Sequence, residues 1–113
     1  MCTKQELSDI MSQLVHHTYS LLGNAVKEVI LFGSYARNDA DNESDIDVMI
    51  LLDMPREQIS SLRRSIAGIA SELLCEHGIV VSPILESKAF FDRNRELYPF
   101  YRNIDQEGIR YVA

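Results

Sequence analysis

Leu7, Ile10, Met11, Leu14, Val15, Thr18, Leu21 and Leu22 recur at the three- and four-residue spacing of one helical face. Thr3-Lys4-Gln5-Glu6 has the form of a capping box and Gly23 follows the last apolar position, so a first helix is predicted between them. Val26 to Phe32 is rich in β-formers and runs into Gly33-Ser34, which reads as a strand ending in a tight turn, followed by a short helical turn. Ser44 to Asp53 holds the run Ile46-Asp47-Val48-Met49-Ile50-Leu51-Leu52, apolar on both faces after its first residues, as an interior strand must be. Pro55 then opens a helix whose stripe is Ile59, Leu62, Ile66, Ile69 and Leu73, with Gly78 placed to end it. Ile79 to Leu85 is a third strand, and Pro83, which cannot donate a ladder bond, argues for an edge position or a bulge. Ser87 caps a short helix reaching Arg95, Pro99 to Glu107 forms another stopped by Gly108, and Ile109 to Val112 is a short last strand. The pattern is that of a compact α/β domain.

Composition narrows the class. The 113 residues suit one domain, and 46% apolar with 25% charged residues is too hydrophobic for disorder and typical of a soluble globular chain. Seventeen acids against eleven bases leave a net charge of −6. The excess is local, because Asp39, Asp41, Glu43, Asp45, Asp47 and Asp53 fall in a stretch with no base, while the remaining acids balance the bases. Nucleic-acid binding rests on Lys and Arg releasing phosphate counterions, so a nucleic-acid partner is disfavoured. No apolar run approaches the ~18 residues that span a bilayer, and Met1-Cys2-Thr3-Lys4-Gln5-Glu6 is not a signal peptide, so the expectation is a cytoplasmic protein with no membrane partner. Cys2 and Cys75 read as reduced thiols, with Cys75, inside an apolar helical pattern, the one in the core.

Candidate chemistry concentrates around the second strand. Alternation points Asp45 and Asp47 to one face about 6.6 Å apart, where two carboxylates can share a hard cation such as Mg²⁺. Taken alone, such a pair is more often two solvated acids at a strand end. Gly33-Ser34, between a strand and a helical turn, can hold a phosphate with backbone N–H groups and a hydroxyl; alternatively Ser34 is simply the cap of the turn. The joint pattern is more specific: Gly33-Ser34, ten residues, then Asp45-Ile46-Asp47, with strands on both sides.

Leu31-Phe32-Gly33-Ser34-Tyr35-Ala36-Arg37 through Asp45-Ile46-Asp47-Val48 resembles the minimal nucleotidyltransferases of the DNA polymerase β superfamily, and the element order is compatible over nearly the whole length. The resemblance implies an α/β (α+β) nucleotidyltransferase fold, a mixed sheet flanked by helices. It also implies Gly33 and Ser34 on the triphosphate and Asp45 and Asp47 on Mg²⁺, two ions in all. Arg37 lies at the family's arginine position, where it could support phosphate or the loop; a salt bridge to nearby acids is the alternative. Asn38 stands where the family often has Gly, a change the left-handed conformation tolerates in Asn. The superfamily's third carboxylate usually lies on the strand after the long helix, and there Ser82 occupies the corresponding position. A hydroxyl neither binds Mg²⁺ as firmly as a carboxylate nor serves as a general base at neutral pH. Glu86 points the same way about 13 Å further along, a poor substitute unless Pro83 bends the strand.

Weaker signals remain. Asp39, Asp41 and Glu43 fail as a calcium loop, since Ser44 and Ile50 stand where Gly and Glu are required. His16 and His17 lack further ligands nearby and read as a helix flank; Arg63 and Arg64 read as a solvated face. Tyr98, Phe100 and Tyr101 with Arg95 and Arg102 have an interface's composition or pack on the sheet. The expected activity is transfer of a nucleoside monophosphate, AMP from ATP or from another NTP, to an acceptor hydroxyl, with Asp45, Asp47 and the Ser82 position as the catalytic set. The residues after Asp47 are used up completing the fold, so the acceptor should come from a partner protein. The resemblance suggests a helical HEPN-type partner in a toxin-antitoxin pair, with a homodimer or hetero-oligomer as the assembly. The rival is a protein of the same fold that has lost catalysis and neutralises that partner by binding.

Overall fold

The computed structural model describes residues 2–112. Helix α1 spans Lys4–Leu22 and opens on the expected reciprocal cap: Thr3 Oγ1 accepts from the Glu6 N–H, and Glu6 Oε1 accepts from the Thr3 N–H. Strand β1 (Val26–Phe32), the single-turn helix α2 (Ser34–Arg37) and strand β2 (Ile46–Leu52) follow. Pro55 caps α3 (Arg56–Ile59), which tightens into a 3-10 turn at Ser60–Leu62 before α4 (Arg63–His77). The continuous helix expected after Pro55 is therefore three pieces. Ser60 and Ser61 donate their hydroxyls to the carbonyls of Glu57 and Gln58, a local bond that competes with the helical ladder.

Strand β3 runs Val81–Ser87, two residues later than its apolar run suggests, and Ser87 accepts from the Phe90 N–H to cap α5 (Lys88–Asn94). Helix α6 (Pro99–Glu107) and strand β4 (Ile109–Val112) complete the described chain. The sheet order is β3-β2-β1-β4, with β2 and β3 parallel and the other neighbours antiparallel, so Pro83 sits on an edge strand as expected. No helix among the described residues is long and apolar enough to cross a membrane.

Strand alternation divides the core in two. Val29, Leu31, Ile46, Val48, Ile50, Leu52, Val81 and Leu85 face α1 and α4, whose Ile10, Met11, Leu14, Ile66, Ile69 and Leu73 close over them. Ile30, Phe32, Met49 and Leu51 face the other way, against Phe91 of α5 and Ile104 of α6. The cysteines reverse the expectation, since Cys2 is buried in the larger cluster and Cys75 is exposed. Cys75 lies two positions beyond the buried Leu73, about 200° around the helix and away from the packed stripe.

Candidate active site

The smaller cluster leaves one end of the sheet uncovered, and the candidate residues meet there. Phe32 pairs with Asp47 across the antiparallel ladder, and Asp47 pairs with Ser82 across the parallel one, so the three form a row across β1, β2 and β3. Asp45, just ahead of β2, accepts a hydrogen bond from the Ser82 hydroxyl at 3.3 Å. The Asp41 carboxylate ties the preceding turn by accepting from the Glu43 N–H and the Ser44 hydroxyl, and the Ile46 N–H donates to the Val80 carbonyl. Asp45, Asp47 and Ser82 thus lie together at this end of the sheet.

Gly33 brings the turn against them. Its φ of 73° lies in the left-handed region, and a Cβ there would overlap Asp47 Oδ2, so both backbone and space demand glycine. Gly33 itself caps α2, and Ser34 is the helix's first residue, with no side-chain bond to the backbone. The capping alternative for Ser34 is thereby corrected: its hydroxyl has no partner among the described residues. The leading N–H groups of a helix lack intrahelical acceptors, so they and this hydroxyl share one end of the turn. Asn38 takes the left-handed conformation, φ 64°, and closes α2 on the Ser34 carbonyl. The Cys2 N–H donates to the Tyr35 hydroxyl, which ties the head of α1 to the turn.

Arg37 forms the salt bridges of its alternative reading. Its guanidinium lies 3.3 Å from Asp39 and 3.6 Å from Glu107 of α6, yet it lines the same cleft as Asp47 and stays half exposed. That cleft, about 540 Å³, is walled by Phe32, Gly33, Ser34, Arg37 and Asp47 on the sheet side and by Phe100, Asn103, Ile104 and Glu107 of α6 on the other. The α6 wall escaped the sequence reading, which noticed Phe100 only for its interface-like setting. Gly108 brings α6 this close, since a Cβ there would run into Ile30 and the Ile104 carbonyl.

Burial, then the neighbouring Asp45 charge, raise the Asp47 carboxyl above its ordinary range, with Arg37 opposing. A carboxylate pair under mutual repulsion whose neighbouring donors are all oxygens suits a hard divalent cation, which would relieve the repulsion. Among the described residues, no group of three or more His, Cys, Asp or Glu side chains gathers as a metal site. Asp45 and Asp47 are thus the carboxylates the site could offer a cation. Glu86 offers no third. The β2–β3 register runs without a break past Pro83, and Glu86 stands opposite Leu51, buried, where the Tyr101 hydroxyl, the Ser87 N–H and Arg56 Nε (3.1 Å) all donate to it.

The family described as "Nucleotidyltransferase domain" matches residues 5–111. Two proteins of Methanocaldococcus jannaschii, each named "putative protein adenylyltransferase", are similar to the chain. One is 34% identical over 98 residues, 87% of this chain and 90% of its own length. The other is 38% identical over 84 residues, 74% of this chain and 82% of its own length.

Proposed function

Because the chain belongs to the nucleotidyltransferase-domain family, we propose that the cleft binds a nucleoside triphosphate, ATP in preference, and transfers its AMP moiety to a hydroxyl of a partner protein. The observation that carries this reading is that Asp47 lines one cleft with the Gly33–Ser34 turn and Arg37, with the Asp45 carboxylate close enough to act on Asp47. The names of the archaeal relatives support a protein acceptor. So does the acidic run ahead of β2, which would repel a nucleic-acid backbone.

In this reaction the acceptor oxygen forms a bond to the α-phosphorus, the bond from that phosphorus to the bridging oxygen breaks, and pyrophosphate leaves. Such transfer depends mainly on positioning and charge stabilisation, which a small domain can supply. Asp45 and Asp47 would hold Mg²⁺, which when bound offsets charge on the phosphates and polarises the reacting phosphorus. The Ser34 hydroxyl and the leading N–H groups of α2 donate to phosphate oxygens. Gly33 lets the phosphates approach where any side chain would stand in the way. Arg37 exchanges part of its contact with Asp39 and Glu107 for phosphate. Ser82 holds Asp45 through its hydrogen bond and takes up no proton, so deprotonation of the acceptor falls to the Asp45–Asp47 pair or to solvent.

That last point favours a second reading, in which the fold binds nucleotide and partner but transfers slowly, neutralising a helical HEPN-type partner by association alone. The specific observation is Ser82 opposite Asp47, where the resemblance expects a carboxylate. Incubating the chain with Mg²⁺, ATP labelled at the α-phosphate and a candidate HEPN-type partner tests both. Label on the partner that disappears with Asp45→Asn/Asp47→Asn supports transfer. Binding of nucleotide and partner without label supports the second reading, and absence of Mg²⁺-dependent nucleotide binding overturns both.

A further inference from the structure

We propose that the α6 wall of the cleft is its nucleobase subsite, with Phe100 as the stacking platform and Asn103 reading the edge of an adenine. The inference rests on the cleft being a nucleoside triphosphate site and adds which residues choose the base.

The cleft has two chemically different ends. Asp47, Gly33, Ser34 and Arg37 make one polar and charged; Phe32, Phe100 and Asn103 make the other aromatic, with an amide beside it. Phe32 joins them. It stands directly across the ladder from Asp47, where facing Cβ atoms are about 5 Å apart, and its ring meets Phe100 edge to face at 5.7 Å between centroids. Phe100 is thus one aromatic ring removed from the carboxylates, a separation that leaves room for a ribose and phosphate between base and metal ligands.

Phe100 is held but not covered. Its contacts with Phe32 and Tyr101 fix the ring, yet 48% of its surface is exposed, a large apolar area to leave open beside a polar cleft. Packing alone does not ask for it, since the buried contacts of α6 are made by Ile104 and supported by Tyr101. Asn103 lies three positions on along the same helical face, is exposed, and makes no hydrogen bond with any described residue. Its amide offers one acceptor and one donor side by side, the complement of the adenine exocyclic amine and adjacent ring nitrogen. On the same edge guanine presents two acceptors, which one amide cannot match with both of its groups; Glu107, one further turn along, is paired with Arg37 at 3.6 Å and belongs to the charged end. A pyrimidine would stack over less of the ring.

Calorimetric titration of the full chain with the Mg²⁺ complexes of ATP, GTP, CTP and inorganic tripolyphosphate tests the assignment, with melting curves recorded for every variant. The wild type should prefer ATP to all three. Phe100→Leu, which keeps apolar bulk but loses the flat ring, should weaken ATP by about tenfold or more, leave tripolyphosphate unchanged, and be rescued by Phe100→Trp. Asn103→Ala, at an exposed site that costs no packing, should draw the ATP and GTP affinities together. Unchanged ATP affinity in Phe100→Leu overturns the inference, as does an equal loss for tripolyphosphate or an unaltered base preference in Asn103→Ala. In those cases the nucleotide-site reading survives, because wild type still binds tripolyphosphate and ATP. If wild type binds none of the four, that reading fails and the subsite with it.

Discussion

The two faces of the sheet use the same strands for different ends. From β2, Ile46, Val48, Ile50 and Leu52 enter the closed face, an unbroken apolar layer beneath α1 and α4. Asp47, Met49 and Leu51 of the same strand enter the other, where a small apolar centre lies between carboxylates. At the far end of that second face, Glu28 is buried against Lys88 (2.8 Å) and Arg110 (2.7 Å), and Glu86 is bonded by Arg56 and Tyr101. At the near end Asp47 has another carboxylate for a neighbour and only Arg37 opposing. Burial asks that a charge be paired, and of the three acids that the strands hold at least half-buried on this face, Glu28, Glu86 and Asp47, the first two obey. The third, Asp47, has no hydrogen bond or ion pair with another described residue, in keeping with the proposed cation site.

The widest separation between the faces should come from paired substitutions. Asp45→Asn with Asp47→Asn should abolish Mg²⁺-dependent nucleotide binding while leaving the melting temperature unchanged or higher, because it removes like-charge repulsion. Ile50→Ala on the closed face should do the reverse, costing about 2–5 kcal/mol of stability while the folded protein still binds nucleotide. Calorimetry and thermal melts decide together. A double mutant that binds Mg-ATP as wild type does would remove the metal assignment, and an Ile50→Ala protein that folds stably but binds nothing would deny that the faces are separable.

Ser82→Asp sharpens the contrast by completing the acidic row. The ladder places this residue opposite Asp47, so in the proposed site the new carboxylate would join the cation ligands and accept the acceptor's proton, help typically worth about 10²- to 10⁴-fold in rate. Without Mg²⁺ a third like charge should lower the melting temperature, and Mg²⁺ should restore more than it adds to wild type. Equal Mg²⁺ stabilisation in both proteins, with no gain in labelled product, would deny that this position belongs to the site.

Ser34→Ala tests a smaller contribution. Loss of one hydrogen bond to a charged phosphate should weaken Mg-ATP by about 1–2 kcal/mol. Since Gly33 and not Ser34 caps α2, and Ala is the better helix former, the melting temperature should not fall. A drop in stability with unchanged affinity would return Ser34 to a purely structural part.

Much of this arrangement is legible in the chain because it is written locally. The Thr3 and Ser87 caps, the α1 stripe, the β2 run and the Gly33-Ser34 to Asp45-Ile46-Asp47 spacing each depend on neighbours a few residues away, and each appears where it was expected. What escaped is set by distant contacts. Ile79 and Val80 read as strand, but pairing with β2 begins at Val81 opposite Ile46. Cys2 is buried because the α1 head docks on Tyr35, 33 positions away. The α6 wall depends on Gly108 lying against Ile30 of β1, so nothing near Phe100 or Asn103 says that they face Asp47. The serines that tighten the helix after Ile59 were visible, but the apolar stripe runs through them and masks the change.

The smallest expected effect concerns proton binding at the near end. In the folded protein without a cation, the Asp47 carboxyl is raised, by burial first and by Asp45 second, with Arg37 opposing. Between the ordinary carboxylate range and that raised value the folded chain holds a proton that the unfolded chain has released. Its contribution to stability is therefore complete below the unfolded pKa and is lost as pH rises through the folded one. Asp47→Asn removes the titration. In Mg²⁺-free buffer the melting temperature of this variant relative to wild type should accordingly climb as pH rises from the ordinary carboxylate range through the raised value, and saturating Mg²⁺ should narrow the difference at the upper end by stabilising only wild type. At the far end the raised group is different: Tyr101 is pushed up by burial and by its bond to Glu86, well outside this window, so it leaves the comparison undisturbed. A difference flat across the range would mean that Asp47 sits under no more constraint than a solvated acid, and the contrast between paired and unpaired carboxylates on this face would lose its energetic basis.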